Sequence, residues 1–224
     1  MALAAGEIIA VLEATAARGS HIVSDLIGDA AFTVGDHYPP DDVYDHVTGA
    51  GFFYHAHPIG PRAYVSGLRE LAEHGHFHLF INRRAVPPGV KPLERPGRPI
   101  ENWGLCHLVA IVMDISGIPS RIFTTNQWLS KEWMYPAPVV IDLLDRFEIG
   151  DRTPASIWVT AMVALFRPQI EFLLHERDRL LITNAAHHLP QSAVHGETLE
   201  ITSQVEIDID RQIVAVDRAL GASS

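Results

Sequence analysis

The stretch "LCHLVAIVMDISGIPSRIFTTNQWL", Leu105–Leu129, decides the fold. Two apolar runs, "LCHLVAIVMD" and "SRIFTTNQWL", flank Ile115–Pro119, where Ser116-Gly117 supplies a turn. That pattern predicts a β-hairpin. Both strands are apolar on both faces, so the hairpin belongs in the middle of a sheet.

Upstream, Phe52–His57 is aromatic-rich and closed by Pro58, and "HFHLFINR" reads as a further strand. Between them, "VSGLRELAEHG" suits a short helix capped by Ser66 and ending near Gly75. "GDHYPPDDVYDHVTGAG" is rich in Pro, Gly and Asp and reads as an ordered loop. The five prolines Pro87, Pro88, Pro92, Pro96 and Pro99 make the next segment a surface excursion and a candidate lid.

At the N-terminus, Ile8, Ile9, Val11 and Leu12 recur at helical spacing, with Gly19 as a stop. Downstream, Thr153 and Pro154 open a helix that Pro168 should kink or split. "LEITSQVEID" alternates as an edge strand, and "DRQIVAVDRAL" closes as a helix. The expected architecture is a single α+β domain over residues 1–224. It has a helical segment at 1–30 and a mainly antiparallel sheet at 50–135. A helical part with one edge strand follows at 153–220.

Composition narrows the partners. The net charge is −10 with histidines neutral, which argues against nucleic acid or an anionic membrane surface. The first residues carry Glu7 and Glu13 inside the apolar run, unlike a signal peptide, and no run has the length of a membrane span. The single cysteine, Cys106, fits a reducing compartment and reads as a small buried hydrophobe. A cytoplasmic protein with a small-molecule ligand is expected.

Five of the 13 histidines fall between positions 55 and 78. Residues i and i+2 of a strand share a face, so His55 pairs with His57 and His76 with His78. If the two strands are neighbours, four imidazoles converge, and His107 on the hairpin can join them. Clustered neutral imidazoles must each satisfy two ring nitrogens, which is expensive without a partner; a shared transition metal, or a metal-free polar network or acid–base site, would answer that need. An all-imidazole set suits iron, copper or zinc better than magnesium or calcium.

His74 reads as a cap of the preceding helix, and His37 as part of a solvated acidic turn that can lend a carboxylate. His187, His188 and His195 fall in a polar late loop. Tyr54 is a candidate proton donor. Asn126, or its neighbour Thr125, lies roughly opposite His107 across the hairpin and can bond a ligand histidine or a substrate.

Known metal signatures do not fit. Glu70 lies too far from His57 for a cupin, and the chain is too short for an amidohydrolase barrel. It has no H-E-x-x-H, C-x-x-C, G-x-G-x-x-G or P-loop. Three readings stay open. One is a metal-dependent enzyme, redox or hydrolytic. The second is a structural zinc or a metal or small-molecule carrier, and the third a haem protein with a histidine axial ligand.

The blocks "HYPPDDVYD", "YHAHP", "EHGHFHLF", "HLVAIVMDISGIP" and "FTTNQWL" together resemble an uncharacterised, histidine-rich bacterial family described only as a domain of unknown function. The resemblance covers roughly residues 37–135 and extends over most of the chain. It implies a site built from these histidines and supplies no reaction.

Overall fold

The computed structural model describes residues 1–29, 31–56, 73–93, 104–187 and 199–222, the side chains of 184–187 excepted. At its centre is a six-stranded antiparallel sheet: β1 (Tyr38–Tyr44), β2 (Ala50–Ala56), β3 (Glu73–Asn82), β4 (Leu105–Asp114), β5 (Pro119–Thr125) and β6 (Ile201–Glu206). The strand order is β1-β2-β3-β4-β5-β6, so each strand pairs with its sequence neighbours. β4 and β5 form the expected hairpin in the sheet interior. Its turn is held by Asp114, whose Oδ1 accepts from the Ser116 and Ile118 N–H groups at 2.8 and 2.9 Å.

Helices precede and follow the strands: α1 (Ala2–Ala16), α2 (Ile22–Ile27), α3 (Gln127–Ser130), α4 (Ala137–Leu144), α5 (Pro154–Leu165), α6 (Arg167–His187) and α7 (Ile209–Gly221). Thr153 caps α5, its side chain accepting from the Ser156 N–H, with Pro154 in the first turn. The helix is split near Pro168 as expected, and α5 and α6 meet at a 71° bend. Among the described residues no single helix is long and apolar enough to cross a membrane.

The sheet has two unlike faces. Phe52, Tyr54, Phe77, Leu79, Ile81, Ile111 and Ile122 point to one side and share a core with Ile8 of α1, Val140 of α4, Trp158 and Met162 of α5, and Leu173 of α6. The other face carries a smaller apolar cluster, Ala110, Val112 and Phe123. That asymmetry leaves the second face available for polar chemistry.

Three expectations change. The segment at Tyr38–Tyr44 is a strand, not a loop; its two prolines are tolerated because β1 is an edge. Residues 73–75 belong to β3, not to a helix end, because Gly75 pairs with both Ala56 and Met113. β5 stops at Thr125, since Asn126 caps α3 by accepting from the Gln127 N–H. Directly after β5 and α3, α4 opens with Pro138 in its first turn. The rest of the helix proposed for residues 65–75, with Ser66, lies outside the described residues, as does the distal half of the proline-rich excursion.

Asp45 ties the β1–β2 turn to the loop before α5. Its Oδ1 accepts from the Val47 and Thr48 N–H groups and its Oδ2 from Gly150 N–H, at 2.8–2.9 Å. The Thr48 and Gly150 bonds hold its carboxyl below the usual range, against the effect of burial. Its contribution is therefore present above the unfolded-state value, about 4, and is lost as pH falls through the lower folded value. Asp45→Asn is expected to cost about 1 kcal/mol at pH 7. Thermal unfolding against pH should show the gap between wild type and variant closing in acid.

Candidate metal centre

β2 and β3 pair in a register that places His55 directly opposite His76 and Phe53 opposite His78. Strand alternation then puts all three imidazoles on the face away from the helices. His55 Nε2 lies 2.9 Å from His76 Nε2, which lies 2.8 Å from His78 Nε2. One ligand atom from each ring falls within 4.8 Å of the others, so the triad forms a group that could hold a metal ion.

The contact at His76 is informative. A ring nitrogen carries one proton or one lone pair, so no neutral tautomer of His76 gives both neighbours a full hydrogen bond through Nε2. A shared cation resolves this by accepting all three lone pairs. In a tetrahedral zinc site, bond lengths of 2.0–2.1 Å give nitrogen separations of about 3.3 Å, so the rings need open by only about half an ångström.

The triad floors a cavity of about 320 Å³. Phe53 packs against His78 with ring centroids 4.8 Å apart, and Phe123 against His76 at 5.2 Å. At one rim His37 stacks on Phe53 at 3.7 Å, and its Nδ1 lies 2.8 Å from Asp42 Oδ1. Asp42 holds a positive φ of 53°, a conformation uncommon for aspartate, in the irregularity where β1 pairs with β2. At the other side Arg121 is ion-paired with Glu73 and donates to Gln204 Oε1 at 2.8 Å. Thr125, Leu129, Glu132, Glu200 and Ile201 complete this part of the wall.

Each residue proposed from sequence has a definite place, apart from His57, which lies outside the described residues. His55, His76 and His78 converge. His107 sits beside them, its ring 5.3 Å from that of His78, but it is not part of the convergent set. It faces Glu132 instead, with Nδ1 3.2 Å from Oε2.

Tyr54 lies on the opposite, helix-covered face, where its hydroxyl is 2.6 Å from His74 Nδ1. Burial pushes its phenol up, so it is a poor proton source, and it does not line the cavity. His74 is a strand residue and not a helix cap; burial, then the neighbouring His21, holds its imidazole below the ordinary value. Asn126 is wholly buried and caps α3, whereas Thr125 lines the cavity. His37 also reaches the cavity, paired with Asp42 as an acidic partner. Burial pushes the Cys106 thiol up to about 12, which makes it an inert core group.

Sequence reasoning missed Glu73, Arg121, Phe123 and Glu132. A signal existed for Arg121, a charge inside the apolar strand "SRIFTT" whose alternate neighbours Phe123 and Thr125 share its face. None existed for Glu132, which reaches the cavity from beyond α3.

A family model described as a domain of unknown function (DUF6969) matches residues 2–207, and the chain belongs to that family. No curated protein matches the chain. No solved structure matches it either.

Proposed function

We propose that this member of a family of unknown function is a metal-dependent enzyme, redox or hydrolytic, acting on a small molecule. His55, His76 and His78 would hold a single transition ion. The observation that carries the reading is the convergence of three Nε2 atoms at the floor of a cavity, beside ion-paired charges. Three protein ligands with space alongside is the pattern of catalytic sites, whereas structural zinc closes its shell with four. The ion would supply a Lewis acid or redox centre. The chain's own residues shape the space: Phe53 and Phe123 exclude water from the flanks, and Arg121 with Glu73 fixes charge at the wall.

Iron, copper and zinc all suit imidazole. The touching Nε2 atoms leave no room for a porphyrin plane between any two of these rings, which counts against haem here. Two measurements test the reading. Elemental analysis of protein from metal-replete medium should find about one transition ion per chain. The visible spectrum of the cobalt(II) form should change on adding azide, because an open position accepts an outside ligand. Absence of stoichiometric metal refutes the site, and a spectrum indifferent to azide refutes the open centre in favour of a structural clamp.

A further inference from the structure

The histidine cavity has further buried polar lining. Glu132 is 3% exposed and Thr125 1%, and both line the cavity. Glu132 Oε2 and Thr125 Oγ1 have no hydrogen-bond partner among the described residues. His107 stands at ion-pair distance from Glu132, yet off the line of a hydrogen bond. Buried polar atoms are nearly always bonded, so two orphans on one cavity wall mark where a ligand's polar atom belongs.

The apolar part of the lining is Phe53, Phe123, Leu129 and Ile201. Arg121 is engaged by Glu73 and Gln204, while Glu132 and Glu200 add acidic lining. An anionic ligand would meet carboxylates there. A ligand that donates a proton in a hydrogen bond would satisfy Glu132. The volume, about 320 Å³, lies at the small end of ligand pockets.

We infer that the cavity binds a small neutral aromatic alcohol of the phenol type. Its flat body fills the space flanked by Phe53 and Phe123. Its hydroxyl donates to Glu132 Oε2 and takes Thr125 Oγ1 as a second partner. The reading of the triad as a metal centre enters only in assigning the ligand's other end to the histidines.

The test is a protein-observed NMR titration with three probes of similar size: phenol, its methyl ether anisole, and benzoate. Phenol should bind the wild type at least tenfold tighter than either of the others, since a hydrogen bond to a charged group carries that much discrimination. Glu132→Gln should weaken phenol about tenfold and narrow its advantage over benzoate. Thr125→Val, which leaves the carboxylate in place, should weaken phenol several-fold and serves if Glu132→Gln does not fold. Anisole or benzoate binding the wild type as tightly as phenol overturns the inference, as does phenol affinity unchanged in a folded variant. Metal content is measured on the same samples. A metal-free but folded wild type would sink the metal reading, while the preference for phenol over anisole could still be read on it.

Discussion

Protein carrying His76→Ala is expected to lose on dialysis the transition ion that the wild type would retain at the proposed centre, while still unfolding cooperatively. In the proposed centre His76 would be the middle ligand, since its Nε2 touches the Nε2 of both His55 and His78. Removing it leaves two imidazoles that no longer share a neighbour. Loss of an outer-shell partner alone weakens metal sites 10–100-fold, so loss of the central ligand should reach on the order of a hundredfold or more. The fold should suffer less. A chain with this large a helix-covered core should not depend on an ion to fold, unlike a short zinc finger. The penalty should be that of a buried polar truncation, about 1–3 kcal/mol. Thermal unfolding of wild type and variant, each with and without chelator, separates the two effects. Chelation that unfolds the wild type near room temperature would make the ion a structural staple.

Gly75→Ala is expected to damage stability and site together. A Cβ built at Gly75 would lie 2.4 Å from the His55 carbonyl oxygen, 2.6 Å from the Tyr54 hydroxyl and 2.8 Å from the Ala56 Cα. Two of these are backbone atoms of the paired strand and cannot rotate aside. Relief must come from prising β2 off β3, where His55 faces His76. Overpacking typically costs 1–3 kcal/mol, and with lost ladder bonds about 3 kcal/mol or more is expected here. Gly6→Ala is the control, since its added methyl meets nothing within 4 Å. Denaturant unfolding and metal content measure both effects. Wild-type stability in Gly75→Ala would contradict the described pairing.

The triad was legible because strand alternation is strict: the spacing of His76 and His78 put both on one face, and aromatic β-like flanks marked their strands. Position His107 shows where alternation fails. Val109, Ile111 and Met113 belong to the helix-side core, so plain period-two counting sends His107 to that side too. A bulge intervenes, for Leu79 opposes Val109 but Phe80 opposes His107. The extra residue, Leu108, reverses the parity and delivers His107 to the cavity side. A bulge leaves no reliable mark in sequence. The same holds for β1, where "YPPDDVY" carries turn chemistry and is held as a strand only by pairing with β2. Glu132 was invisible because its approach depends on the path of the chain after α3.

The His55–His76 register would also make a metal bound at the proposed centre a reporter of correct strand pairing. A slip of β2 by one residue would turn His55 to the helix side and bring Tyr54 or Ala56 opposite His76. An ion that needs all three rings binds only the correctly registered chain. By mass action, ligand at a hundred times its Kd favours that state by about 2.7 kcal/mol over every slipped alternative that cannot bind it. Metal supply would then act as quality control on the sheet, drawing the chain toward the one alignment that completes the ligand set.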